Sequence, residues 1–441
     1  MSTISIVPQQ LEVLKYGSLD SPQALQSIED TLLALYKAMT TIDPKMARNA
    51  PESPVGSGRR GSWGDGGIGS MRALQERKEG YQKDTYSFLA RMKQFMTIKF
   101  GAEVVELAKS SKNSPMSPEQ PKLLGHDSAY VSLYRFSGLI AFTKDVDLEE
   151  YYGLQKLYER PVSGLFQDEF REHVLAWKKV TKKPISDEID LRKLPAYNKN
   201  KFLGANAITV FTAQEKETDN VAVTAARKLT VKRSQTLAKI RSPTGDHLKN
   251  KNQDGMINSH EAFAGALTEM YNLVLKEQNF IVEFFQMSSQ LPQDFSEFIT
   301  NSPVAEHRRI GGLGGLRPVE ADKAKVKMVS DFMTGLFGFL PQDLQSLVEW
   351  AIRADPLQGV GVLYALETKM AALPDTDQEF LFKMLQKLHD RLAGLFSRFL
   401  DDQIKAIEET KVKIKKRKGV IPFMKVFPVS DHPWAVLKAR Y

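Results

Sequence analysis

The residues with the best spacing for chemistry lie in one polar stretch, Asn250–Glu261 (NKNQDGMINSHE). Laid on a twelve-residue calcium loop, Asn250, Asn252 and Asp254 fall at the first three side-chain ligand positions. Gly255 takes the sharp turn, Ile257 the apolar place and Glu261 the bidentate place. Only two of these residues are carboxylates, Lys249 and Lys251 stand beside them, and no second loop is present to pair with the first. Cation affinity follows ligand charge, so the stretch is expected to be a polar linker that ends in a helix start, with no metal site. Gly56, Gly58 and Gly61 spell a dinucleotide-type GxGxxG, but no strand precedes them and no acidic residue closes a βαβ unit. The seven histidines have no HExxH spacing, and neither a GxSxG elbow nor a P-loop lysine occurs. His173 borders an apolar stripe and reads as a packing residue. Gly359 and Gly361 read as points of close helix approach, and Glu149–Glu150 and Asp401–Asp402 as solvent-facing carboxylates. No catalytic residue, cofactor or small-molecule substrate is expected. The remaining candidate is the basic run KVKIKKRK, in which Lys411, Lys413, Lys415, Lys416, Arg417 and Lys418 could meet anionic lipid or an acidic partner. Aromatic residues for base stacking are not interleaved with it, so nucleic acid is not an expected partner.

That run closes a long helical pattern from Pro374 to Phe427. Thr376 and Glu379 have capping-box spacing. Leu381, Leu385, Leu388, Leu392, Leu395 and Phe399 then alternate in steps of four and three and share one helical face. Phe396, Leu400, Ile404, Ile407 and Ile414 carry the face onward with a slow drift. Acidic residues come first and lysines last, which complements the helix dipole. Gly419 and Pro422 write the stop. The expected length is about ~60 Å.

Upstream, the same period recurs. Leu25, Ile28, Leu32, Leu35 and Met39 line a first helix that ends before Pro44. Tyr81, Phe88, Met92, Phe95 and Val105 line one running from Met71 to about Lys109. Tyr130, Leu133, Tyr134, Leu139, Ile140 and Phe142 form a compact apolar set. Asp147 and Glu150 cap the next helix, which Pro161 is expected to break or kink. Phe166, Phe170, Val174 and Trp177 then make another stripe. Ser259 is the expected cap of a helix with a seam of Phe263, Leu267, Met270, Val274, Ile281 and Phe284. Pro303–Pro318, with its paired glycines, reads as a flexible break. Val326 to Leu340 is a helix stopped by Pro341, followed by Leu344–Ile352 and a short Leu363–Met370 piece. The lone alternation Ala207–Thr212 has no partner strand. The expected fold is all-α, an elongated rod of stacked helical bundles. Its expected parts are an N-terminal helical segment (1–48), a linker (49–70), a first bundle (71–195), a connector with a basic helix and loop (196–258), C-terminal bundles (259–420) and a tail (421–441).

A chain of 441 residues without cysteine has no disulfides or thiolate metal sites, which favours a reducing compartment. Its formal charge of +8 points mildly to acidic partners. No apolar run approaches ~18 residues and the N-terminus lacks a signal-peptide core, so a cytosolic protein is expected.

Several long segments resemble one family in order along the chain. They are Tyr81–Phe100, Leu133–Glu159, Glu277–Phe285 (EQNFIVEFF), Asp343–Met370 and Asp402–Pro428 (DQIKAIEETKVKIKKRKGVIPFMKVFP). They resemble the C-terminal helical region of the Sec-three family of exocyst subunits. The resemblance implies a rod of stacked bundles. It also implies a scaffold that tethers secretory vesicles to the plasma membrane through contacts with other exocyst subunits, peripheral at sites of secretion. The family's pleckstrin-homology-type lipid-binding domain and most of its coiled-coil segment have no counterpart in these residues, so phosphoinositide targeting is not carried over. The alternative is a peripheral membrane-binding module acting through Lys411–Lys418, with anionic membrane lipids as its partner.

Overall fold

A computed structural model describes residues 5–43, 72–113, 121–182 and 256–408, apart from 293, 309, 312 and 354. Among these residues are twelve α-helices. They are α1 Pro8–Tyr16, α2 Pro22–Ile42, α3 Arg72–Asn113, α4 Asp127–Tyr134, α5 Ser137–Val146, α6 Leu148–Lys179, α7 Ser259–Phe284, α8 Phe295–Asn301, α9 Lys323–Phe337, α10 Leu340–Arg353, α11 Gln358–Met370 and α12 Glu379–Glu408. A 3-10 turn occupies Ala305–His307. Two isolated bridges, Thr181 to Ile257 and Pro318 to Thr376, are the only β pairing among the described residues. The fold is all-α.

The contacts divide the chain into two compact units. One comprises 1–174, 267–343 and 369–385, the other 175–266, 344–368 and 386–441. The first unit is built on α7. Every residue from Glu277 to Ser288 is buried, so this helix end has no solvent face. Its rings set the packing: Phe280 stacks on Tyr130 at 4.6 Å, and Phe285 meets Phe332 edge-on at 5.2 Å. Leu25, Ile28, Leu32, Leu35 and Met39 all lie in the core, as their spacing demands, and so do Phe88 and Met92 of α3. Val105 is instead 53% exposed. The buried stripe continues on other residues of this helix, Leu107 packing against Ala129 and Leu165 with Val104 and Ala108 beside it, so Val105 falls off the covered face.

Four boundaries depart from the sequence expectation. Pro161 lies inside a continuous α6. Tyr158, Val162, Leu165 and Phe166 around it are all buried, and this packing outweighs the lost N–H and the steric cost of about 3 kcal/mol. Pro341 opens α10 rather than closing α9; the first helical turn needs no N–H donor there. Thr376 does not cap α12. Its hydroxyl donates to the Leu373 carbonyl at 2.8 Å and accepts from the Gln378 N–H at 3.3 Å, while Glu379 pairs with Lys383 four residues on. Ser259 is the first residue of α7, and its hydroxyl donates to the Ala351 carbonyl at 2.7 Å.

The second unit holds the start of α7, the ends of α6 and α10, most of α11 and the longer part of α12. Two glycines let its helices approach. A methyl on Gly265 would overlap the Trp177 ring, and one on Gly361 would overlap the His260 ring. Gly359 faces Phe396, Ile352 and Leu392 with ordinary contact room. The α12 seam is buried at Leu388, Leu392 and Phe399, whereas Leu400 is 37% and Ile404 53% exposed. At thirty residues, the described helix spans about ~45 Å. Residues 409–427 of the expected helix lie outside the described residues. No helix among the described residues is long and apolar enough to cross a membrane.

Candidate functional site

The basic candidates Lys411, Lys413, Lys415, Lys416, Arg417 and Lys418 lie outside the described residues, as do Gly56, Gly58, Gly61, Asn250, Asn252 and Asp254. Glu261, the would-be bidentate ligand, instead caps α7: its Oε2 accepts from the Asn258 N–H at 2.7 Å. That is the reciprocal half of a capping box. His173 is buried, and burial pushes its imidazole down to about 4, which keeps the ring neutral in packing.

What the structure brings together is a set of charged and polar side chains inside the first unit. Glu277, Gln278 and Asn279 are consecutive on α7 and fully buried. Glu277 accepts from the phenol of Tyr130 (α4) and the phenol of Tyr158 (α6), both at 2.7 Å. Burial pushes the Glu277 carboxyl up, against the pull of the Tyr158 and Tyr130 hydrogen bonds. The same burial raises both phenols well above their ordinary value. Nearby, His126 sets Nε2 3.0 Å from Glu169 Oε2 and stacks on Phe166 with ring centroids 5.0 Å apart. Gln278 donates to the Asp377 carbonyl at 2.8 Å. Asn279 donates to the carbonyls of Leu313 and Gly315 at 2.7 and 2.8 Å. Three successive residues thus tie α7 to α4, α6, the 313–315 segment and the approach to α12.

The Pro303–Pro318 stretch is therefore not the flexible break its glycines suggest. Arg308 is 7% exposed and holds Glu29 of α2 in a two-pronged pair, Nη1 to Oε1 and Nη2 to Oε2, each 2.7 Å. Its Nε also donates to the Ser302 carbonyl at 3.0 Å. Gly138 leaves the room: a methyl there would overlap Glu29 Oε1. Glu283 accepts from the Gly311 N–H and from Arg317 Nη1, each at 3.1 Å. Glu320 accepts from Ser288 Oγ and the Ser289 N–H at 2.8 Å, from the Asp322 N–H at 3.1 Å, and from Ser289 Oγ. Partial burial pushes the Glu320 carboxyl up, but these four bonds outweigh it and hold it down at about 2.

Glu29, Glu277, Gln278, Asn279, Glu283 and Arg308 are sealed in rather than presented, whereas Arg317 and Glu320 are half-buried. A cavity of about 20 Å³ beside Arg317, Glu320 and Asp377 has room for a water, far below the several hundred Å³ of a small-molecule site. The chemistry available to the buried groups is specification of packing: each half-satisfied alternative costs free energy, so one rotation and depth of α7 is selected. Sequence periodicity missed these residues because EQN interrupts an apolar seam. The available signal was that α7 is apolar on every face around that interruption, the mark of a helix buried all round.

Residues 284–430 match the family model described as exocyst complex component Sec3, C-terminal. These residues, a third of the chain, resemble the C-terminal region of the Sec3 family. The chain is 22% identical over 368 residues to exocyst complex component 1 of Drosophila melanogaster, covering 81% of this chain and 37% of the fly protein. It is 23% identical over 328 residues to exocyst complex component 1 of Mus musculus, covering 69% of this chain and 34% of the mouse protein. The chain thus spans little more than a third of the length of these curated relatives. No solved structure matches. The Sec3 region takes in α8 to α12, so the Arg308, Arg317 and Glu320 partners of the buried centre lie within it, whereas Glu277 and Glu283 precede it on α7.

Proposed function

We propose that this chain is a helical scaffold region of an exocyst subunit, tethering secretory vesicles to the plasma membrane by binding other exocyst subunits. The observation that carries this reading is the Sec3 family match over residues 284–430, with relatives that align through most of the chain. The work of such a region is binding rather than catalysis: rigid helices offer faces to partner helices. The proposed location is cytoplasmic, peripheral at the plasma membrane where secretion occurs. Affinity purification of the tagged chain from cells tests the reading. Exocyst subunits are expected to come down with it, and their absence counts against it. The second reading is a peripheral membrane module acting through Lys411–Lys418. Reversing the charge at Lys415, Lys416 and Arg417 separates the two: loss of liposome binding with subunit assembly intact supports the membrane reading, and unchanged liposome binding removes it.

A further inference from the structure

We propose that the turn 373–378, which leads into α12, is held to the 313–320 segment by a proton-dependent clasp at the Asp377 side chain, a device separate from the scaffold reading. Its backbone part is the bridge between Pro318 and Thr376. Beside it the Asp377 N–H donates to the Arg317 carbonyl at 3.1 Å, and the Asp377 carbonyl accepts from Gln278 of α7 at 2.8 Å. This places the half-buried Asp377 in the wall of the cavity of about 20 Å³ that it shares with Arg317 and Glu320. Both charged neighbours are already engaged. Arg317 donates to Glu283 of α7 at 3.1 Å, and Glu320 accepts from Ser288, Ser289 and the Asp322 N–H. Val282, Met287, Ser288 and Gln290, from α7 and the chain after it, bring no charge to the cavity wall, nor do Val326 and Val329 of α9. On the clasp's own segment Asp375 is exposed and Glu379 pairs with Lys383. For its carboxyl, Asp377 has the neutral Gln378 amide, which donates to Oδ1 at 3.2 Å. An ionised carboxyl there is half out of water and beside a second carboxylate. Burial first, and Glu320 last, push it up to about 6 against the pull of Arg317 and Gln378. A free aspartate titrates at about 3.9, so the contribution of the protonated clasp is complete below that value and is lost as pH rises through about 6. The entry to α12 is thus tight in acid and looser near neutrality.

The test is hydrogen–deuterium exchange of the whole chain at about pH 5 and about pH 7.5, corrected for the intrinsic exchange rate at each pH. It is read on peptides covering 316–320 and 373–382. If opening lets Asp377 titrate as an ordinary carboxyl, the open population of these segments is expected to rise about tenfold between the two conditions. Asp377→Asn keeps an acceptor for Gln378 and cannot ionise, so its protection is expected to be equal at both. Glu320→Gln removes the neighbouring charge, and the midpoint of the change is expected to move to lower pH. Wild-type protection that does not change between the two conditions overturns the proposal, even where Asp377→Asn fails to fold. So does an Asp377→Asn chain that loses protection with rising pH as wild type does, since the change then belongs to another group. A tenfold change spread equally over residues 277–285 of α7 also overturns it, because the opening is then of the whole unit and not of the clasp. None of these outcomes depends on which proteins co-purify with the chain.

Discussion

Glu277 carries the sharpest expectation at the scale of single residues. Replacing it with leucine strands two buried phenols, each hydrogen-bonded to it at 2.7 Å. At about 1–3 kcal/mol for each orphaned group, chemical denaturation of Glu277→Leu is expected to show a loss of about 2–6 kcal/mol. Glu277→Gln keeps a donor–acceptor shape and should lose much less. The pH dependence has a definite sign. Because burial holds the folded Glu277 carboxyl above its ordinary value, the native state binds the extra proton, and stability falls as pH rises above about 4.5. The deficit of Glu277→Gln relative to wild type should therefore shrink as pH rises from 4.5 in thermal melts. Glu320 works the other way. Held down at about 2, it contributes stability above the ordinary carboxylate range that is lost as pH falls toward 2. The melting gap between wild type and Glu320→Gln should accordingly close on acidification.

Helix positions were legible in the sequence at the scale of elements, and their joints were not. The α2 stripe, the α7 seam and the Leu381–Leu392 stripe lie where the 3.6-residue period puts them, because apolar spacing is a local property that burial merely uses. Pro161, Pro341 and Thr376 were misjudged because each has a local rule and a competing tertiary context: packing carries α6 through its proline, and the chain before α12 forms its own turn. Pro161→Ala is expected to stabilise the protein by up to about 3 kcal/mol, since it restores one N–H and removes a clash; a destabilisation in urea would show that α6 needs its proline. Gly361→Ala and Gly265→Ala, which would drive a methyl into the His260 and Trp177 rings, are each expected to cost about 1–3 kcal/mol.

The buried polar centre was the least legible feature at the scale of the molecule. Tyr130, Tyr158, Glu277 and the Glu29–Arg308 pair are separated by up to 279 residues, and no local pattern announces partners so distant. Arg308 in a glycine- and proline-rich stretch looks like a solvated loop charge until α2 is placed against it. Removing one member of that pair leaves a buried charge, so Arg308→Met is expected to cost about 3–5 kcal/mol, measured by denaturant unfolding, and to recover in part when combined with Glu29→Met. The family resemblance, by contrast, could be read from long segments of the sequence, and the Sec3 match over residues 284–430 bears it out for Asp343–Met370 and Asp402–Pro428. The proposed scaffold role is defined by what binds the chain, and co-purification of the tagged chain from cells tests that proposal most directly. The account predicts that exocyst subunits are recovered in constant proportion to the tagged chain. Recovery of the chain alone, folded and free of them, would contradict it.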